Sequence, residues 1–291
     1  MQKVRKAVIL AAGLGTRMLP ATKSVPKELF PIVDKPALQY LVEELADSGI
    51  ESIMIVISRG KTLIEDHFDR SPELERHLEA DHKDAYLEMV RKISSKAEIV
   101  YTRQQEMKGT GHALLSARSF TGNEPFAVLY GDDVIINEQN PVTGQLIKAW
   151  NEYGLGIAGV QEVSEEAIQK YSSMKVEPIK DNLYTVSDMI EKPKPEEMFS
   201  NFSILGRMVL PPKIFDILET IPRGAGNEYQ LTDAMKILAR QEGMIGVDFT
   251  GTRYDMGNKF GILKASIEVA LNHPEIKDET KEYIKELAKT L

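Results

Sequence analysis

The sequence predicts an α/β fold: a doubly wound, mostly parallel but mixed sheet, with a small additional sheet and C-terminal helices. Two observations carry that expectation. Apolar runs of strand length recur at residues 7–11, 52–57, 99–101, 126–130 and 156–160, each bounded by polar or glycine-containing segments. Segments of helical periodicity lie between them. Strands alternating with helices build right-handed βαβ units, hence a parallel sheet covered on both faces, with ligands held beyond the carboxyl ends of its strands.

The first run follows Lys3, Arg5 and Lys6 and superficially mimics a secretory leader. It is short and ends in Gly13-Leu14-Gly15-Thr16-Arg17, as a buried strand entering a glycine turn should. Residues 37–48 place Leu38, Leu41, Val42 and Leu45 on one helical face and stop at Gly49, a glycine C-cap. Residues 72–94 read as one further helix, capped by Ser71 and opened by Pro72.

After Gln161 the segments become shorter and more polar, with strands expected at 183–190 and 204–210, a helix at 230–241 and a strand-like run at 245–249. The tail reads as two helices broken near His273 and Pro274, with Ile262, Leu263, Ile267, Val269 and Ala270 as apolar surface for the core or a second subunit. No repeat or low-complexity linker divides the chain. The expected organisation is one domain with a nucleotide-binding half (1–160), a half for the second substrate (161–258) and the terminal helices (259–291).

Composition narrows the function. A chain of 291 residues that is 42% apolar and 27% charged buries a full core. A net charge of −8 argues against a nucleic-acid partner, whose binding needs clustered Lys and Arg. The absence of cysteine excludes disulfides, thiolate metal sites and cysteine nucleophiles, and a cytoplasmic location is the simplest expectation. No apolar run approaches the roughly 18 residues of a membrane span.

Four motifs carry chemistry. In the first, the small residues Ala11, Ala12, Gly13 and Gly15, followed by Thr16 and Arg17, let backbone N–H groups approach an anion directly after a strand. It is not a dinucleotide fingerprint, because position 18 is Met18 and no acidic residue ends the second strand. Nor is it a P-loop, because Thr22-Lys23-Ser24 lacks the preceding glycine. Pro26-Lys27-Glu28 adds a second cation for a triphosphate.

The second motif, Tyr130-Gly131-Asp132-Asp133, puts carboxylates at the sheet's ligand edge, where hard oxygen donors suit magnesium holding phosphates; Asp255 offers a second ligand. The third, Glu191-Lys192-Pro193, sets an acceptor for sugar hydroxyls beside a cation for phosphate. The fourth, Arg103-Gln104-Gln105 with Gly109-Thr110-Gly111-His112, can read a flat base edge. His67, His77, His82, His112 and His273 are too scattered for a metal site.

In this order, and together with the segments 31–36, 64–69 and 230–234, these motifs make the chain similar, nearly end to end, to the bacterial UTP–glucose-1-phosphate uridylyltransferases. The resemblance implies a Rossmann-like nucleotide-diphospho-sugar transferase fold and formation of UDP-glucose and pyrophosphate from UTP and glucose 1-phosphate. It implies that the glycine turn, Arg17 and Lys27 hold the triphosphate, that Gln104 and Gly109 recognise uracil, and that Asp132 and Asp255 share Mg2+. Glu191 then binds glucose hydroxyls, Lys192 the sugar phosphate, and Asn201 and Gly206 shape that pocket. It also implies a homodimer or homotetramer.

Two departures bear on the sugar. Ser172 stands where the family has glycine after tyrosine, placing a side chain where the sugar would lie close to backbone, and Asn227 replaces a usual glycine. The competing readings are a thymidylyltransferase acting on the same sugar phosphate and a catalytically silent, sugar-nucleotide-binding regulatory protein. The second conflicts with the retention of Arg17, Lys27, Asp132, Lys192 and Asp255.

Overall fold

Nine strands form one mixed sheet in the computed structural model, which describes residues 2–290. Across the sheet they run Glu98–Arg103, Ser52–Ile57, Lys6–Leu10, Phe126–Tyr130, Phe202–Leu210, Gly156–Glu162, Met244–Asp248, Leu183–Glu191 and Ser172–Lys180. The first four are mutually parallel. Phe202–Leu210 is antiparallel to both its neighbours, and Met244–Asp248 is again parallel to Gly156–Glu162. The central strands are uninterrupted apolar runs because helices cover both faces, leaving Ala7, Val8, Ile9, Ile53, Ile55 and Val128 without solvent exposure.

Chain order reverses beside Lys6–Leu10, whose sequence successor lies on one side and Phe126–Tyr130 on the other. That is a topological switch point, and the two strand ends open a crevice there. Two small antiparallel ribbons supplement the sheet. One pairs Asp133–Ile136 with Thr252–Asp255 in a register that sets Asp255 opposite Asp133. The other pairs Pro31–Ile32 with Lys35–Pro36.

A buried ion pair crosses the packing of helices on the sheet. Arg207, in the antiparallel strand, is fully buried and directs Nε and Nη2 at Glu44 of the helix Ala37–Asp47, at 3.0 and 2.8 Å. Glu44 also accepts the N–H and hydroxyl of Thr143, at 3.0 and 2.6 Å, at the start of the helix Val142–Tyr153. One carboxylate therefore fixes two helices against one strand, and removing either charge strands the other in the core.

Three expectations need correction. Residues 72–94 form two helices, Pro72–Ala80 and Asp84–Ile93. His82 takes a left-handed φ of 54°, and the N–H groups of His82 and Lys83 close the first helix on the carbonyls of Glu79 and Leu78, a Schellman cap built without glycine. Ser71 occupies the N-cap position but its side chain caps nothing. The polar stretch after 161 hides a long strand, Ser172–Lys180, hairpinned to Leu183–Glu191 at the sheet's edge. Its outer half is largely exposed, so no apolar run marks it. The tail does form two helices, Lys259–Ala270 and Lys277–Ala288; Ile262 and Val269 face the core, whereas Leu263 and Ile267 are exposed.

Arg207→Met is expected to lower unfolding free energy by about 3–5 kcal/mol, with Glu44→Gln/Arg207→Met recovering much of the loss; chemical denaturation measures both. A second outcome concerns pH. Bonds from Arg70 at 2.6 and 3.0 Å, then from Arg91 at 3.1 Å, hold the Glu75 carboxyl down at about 2. A carboxyl whose folded pKa is depressed stabilises the fold above its ordinary pKa and ceases to do so as pH falls through the folded value. The stability advantage of wild type over Glu75→Gln should be full at neutral pH and shrink below the ordinary 4.5 toward 2. A difference independent of pH would remove Glu75 from that role.

Candidate active site

The site grows from the ends of two parallel strands. Leu10 lies in register with Tyr130, and the carbonyl of Leu10 accepts the N–H of Gly131 at 3.0 Å. A Cβ on Gly131 would sit 3.0 Å from that carbonyl oxygen and 3.2 Å from Ala11 Cβ, so the strands approach this closely only with glycine. Asp132 is thereby brought beside the turn that carries Ala11, Ala12 and Gly13. Gly15 turns the chain with a φ of 67°, and its carbonyl accepts the Thr22 hydroxyl at 2.8 Å. Thr16 and Arg17 stand exposed on the short helix that follows.

Lys27 lies beneath this turn and its ammonium is ion-paired with Asp132 Oδ2. Burial pushes the Asp132 carboxyl up, but Lys27 and then Arg17 outweigh it and hold the group below the usual range. The distant Asp255 reaches the same place through the ribbon pairing. A Cβ on Gly257 would lie 2.7 Å from Asp132 Oδ2, 2.9 Å from Asp255 Oδ1 and 3.1 Å from Arg17 Nη2. Two carboxylates and a guanidinium therefore converge on the hollow above one glycine.

Asp133 is differently employed. It accepts Arg253 Nε at 2.7 Å and faces inward, and burial, reinforced by the charges of Asp132 and Asp255 against the pull of Arg253, raises its carboxyl to about 6. Gly206, with a φ of 69°, backs this carboxylate: a Cβ there would lie 2.7 Å from Asp133 Oδ2. Asp255 is oriented at both oxygens, Oδ1 accepting the Gly257 N–H at 2.8 Å and Oδ2 the Tyr171 hydroxyl at 2.9 Å.

On one side of this centre lies a cleft of about 270 Å³, lined among others by Ala12, Gly13, Lys27, Gln104, Gly109 and Asp132. Gln104 is buried and donates to the Gly109 carbonyl at 3.1 Å. Gly109 has a φ of 104°, and a Cβ there would meet the Tyr229 carbonyl at 2.6 Å, so a side chain is excluded on two counts. Glu191 accepts the Thr232 hydroxyl at 2.8 Å, and burial raises its carboxyl despite Thr232 and Lys192. Lys192 is exposed, in a left-handed conformation with φ of 47°. Asn201, at the entry to Phe202–Leu210, uses its carbonyl to accept the Val163 N–H at 2.9 Å.

The two departures have local explanations. The Ser172 hydroxyl points into the interior, within 3.2 Å of Ser203 Oγ and of the Ile204 N–H, so the expectation of a side chain crowding the ligand side is corrected. The hydroxyl is buried and these contacts satisfy it. Asn227 is exposed in a left-handed turn with φ of 61°, a conformation asparagine tolerates in place of glycine.

Comparison with known proteins adds the lineage. The family model for nucleotidyl transferases matches residues 6–272. The chain belongs to that nucleotidyl transferase family. A UTP–glucose-1-phosphate uridylyltransferase of Bacillus subtilis is 49% identical over 288 residues, 99% of this chain and 97% of the relative. The structure of a UTP-bound UDP-glucose pyrophosphorylase from Acinetobacter baumannii superposes with a TM-score of 0.90 at 36% identity, covering 98% of this chain and 99% of that one. A UDP-glucose pyrophosphorylase complexed with UDP-glucose gives 0.84 at 40% identity, covering 91% and 98%.

This nucleotidyl transferase also uses residues that its motifs did not reveal. Lys61 extends its ammonium to both oxygens of Glu28, each at 2.8 Å, and to the Ala11 carbonyl at 2.6 Å. Burial raises the Glu28 carboxyl and lowers Lys61, while their chelating geometry is that of a charged pair. Lys61 thus occupies the Ala11 carbonyl, and the Ala11 N–H donates to the Val56 carbonyl at 2.9 Å, so the expectation that Ala11 offers an N–H to an anion is corrected and that role falls to the residues after it. The available signal was position: Lys61 follows Ser52–Ile57, at the carboxyl end of the next parallel strand.

Gly257→Ala inserts a methyl group into the hollow shared by Asp132, Asp255 and Arg17. Displacing groups by about 1 Å can cost about 100-fold in kcat/KM. A loss of that order with an unchanged circular-dichroism melt is expected from steady-state kinetics, and activity within twofold of wild type would show that the hollow is not used.

Proposed function

We propose that the protein transfers the uridylyl group of UTP to glucose 1-phosphate, giving UDP-glucose and pyrophosphate, with Mg2+. The observation that carries this reading is the convergence of Asp132, Asp255 and Arg17 above Gly257, at the switch point of the sheet and beside the cleft that Asp132 lines. Relatives matched over 97% and 99% of their length at 49% identity bear the name UTP–glucose-1-phosphate uridylyltransferase, which supports the choice of substrates.

The donors suit magnesium. Among the described residues no three His, Asp or Glu side chains cluster as a metal site, and Asp132 and Asp255 would hold such an ion with two hard oxygens. An ion held there would neutralise phosphate charge and orient the reacting phosphates.

The remaining roles belong to the chain. N–H groups at Ala12, Gly13, Gly15 and Thr16, with Arg17 and Lys27, hold the triphosphate, whereas the Ala11 N–H is spent on the Val56 carbonyl at 2.9 Å. Gln104 and Gly109 face uracil. Glu191 accepts glucose hydroxyls, Lys192 meets the sugar phosphate, and Asn201 and Gly206 bound that pocket.

The phosphate oxygen of glucose 1-phosphate attacks the α-phosphorus in line with the departing pyrophosphate, and no covalent enzyme intermediate forms. The nucleophile is already ionised and needs no general base. What opposes reaction is the approach of two polyanions, each charge pair at 4 Å costing about 4 kcal/mol at an effective dielectric near 20. Arg17, Lys27 and Lys192 offset that repulsion, so positioning and neutralisation account for catalysis. We further assign the protein to the cytoplasm as a single-domain homodimer or homotetramer. The exposed Phe260, Leu263 and Ile267 on one C-terminal helix suit a subunit contact. No helix among the described residues is long and apolar enough to cross a membrane.

The decisive experiment supplies UTP or dTTP, Mg2+ and a panel of sugar 1-phosphates, then identifies the nucleotide sugar formed. UDP-glucose should dominate, and no product from UTP with any sugar phosphate would overturn the reading. Lys192→Ala should cut kcat by about 100- to 1,000-fold while leaving the fold intact, and turnover within a few-fold of wild type would exclude Lys192 from the chemistry.

A further inference from the structure

Tyr171 stands just ahead of the edge strand Ser172–Lys180 and touches both halves of the site. Its carbonyl accepts the Lys192 N–H at 2.7 Å. Lys192 holds a left-handed conformation, which a residue with a side chain keeps only where its surroundings fix it. The Tyr171 hydroxyl donates to Asp255 Oδ2 at 2.9 Å. Its ring is braced by Arg253, whose guanidinium carbon lies 4.8 Å from the ring centroid while its Nε is committed to Asp133. The ring therefore cannot swing without disturbing Arg253, and the hydroxyl is aimed rather than free to rotate away.

A hydrogen bond to a ligating carboxylate fixes which lone pairs it presents, and loss of such outer partners commonly weakens metal binding 10- to 100-fold. Among the described residues the Asp255 carboxylate has two orienting partners, the Gly257 N–H and the Tyr171 hydroxyl. The first comes from its own loop; the second comes from the sugar-phosphate side. We propose that Tyr171 is a positioning residue that sets the spacing of the two half-sites, its hydroxyl fixing the Asp255 carboxylate for a divalent cation while its carbonyl anchors the backbone of Lys192. The proposal rests on the assignment of Asp132 and Asp255 to that cation.

Tyr171→Phe separates the two contacts, because it deletes the hydroxyl and leaves the carbonyl in place. The test measures Mn2+ binding by electron paramagnetic resonance with UDP-glucose present and pyrophosphate absent, so that no turnover occurs. It also measures UDP-glucose affinity without metal. Mn2+ should bind the variant about 10-fold more weakly than wild type. Metal-free UDP-glucose affinity should stay within twofold, and kcat should return to within a few-fold of wild type at saturating Mg2+. A residue that merely supported the fold would lower all three together.

Equal Mn2+ affinity in variant and wild type overturns the proposal, as does a metal-free UDP-glucose affinity that falls in step with Mn2+ affinity. Failure of wild type itself to bind Mn2+ in the presence of UDP-glucose overturns the metal assignment, and this proposal with it.

Discussion

Charge balance at the carboxyl edge of the sheet is the constraint on which the rest of this site depends. Three aspartates crowd there, and each is held by a different counterpart: Asp132 by Lys27, Asp133 by Arg253, and Asp255 by neutral donors from Tyr171 and Gly257. The difference in partner sorts them. Asp133 is locked to a guanidinium and backed by Gly206, so it serves the architecture, while Asp132 and Asp255 keep oxygens directed at the hollow. Glycines recur at 131, 206 and 257 because a Cβ there would crowd the Leu10 carbonyl, the Asp133 carboxylate and the shared hollow in turn.

The parallel half of the fold was legible in the sequence for a simple reason. Strands covered on both faces must be apolar at every position, and 52–57 and 126–130 are bounded as the apolar pattern required. Where one face or an edge meets water, that signal fails. Ser172–Lys180 opens with two buried serines and is largely exposed beyond Met174, and the ribbon strands at 133–136 and 252–255 are too short to carry a period. The break at His82 was hidden because the apolar pattern continues through it and a histidine takes the conformation that usually announces itself as glycine.

The site divides in the same way. Residues visible as glycines or charges at strand ends, such as Gly13, Lys27, Asp132 and Asp255, were found, and the structure brings these four to one place. Lys61, Tyr171 and the Arg207–Glu44 pair were not, because each has meaning only through a partner far away in sequence. The two departures look different once their surroundings are known: Ser172 spends its hydroxyl on Ser203, and Asn227 supplies a backbone shape rather than a contact.

The antiparallel strand Phe202–Leu210 lies between Phe126–Tyr130 and Gly156–Glu162, although it follows both in the chain. During synthesis the growing polypeptide therefore carries an open, apolar strand edge at residues 126–130 until roughly 80 more residues have emerged, several seconds at the usual rates of translation. Such an edge is a template for pairing with other chains. The element that places Arg207 in the core and Gly206 behind Asp133 thus also decides when the nascent protein stops being vulnerable to aggregation.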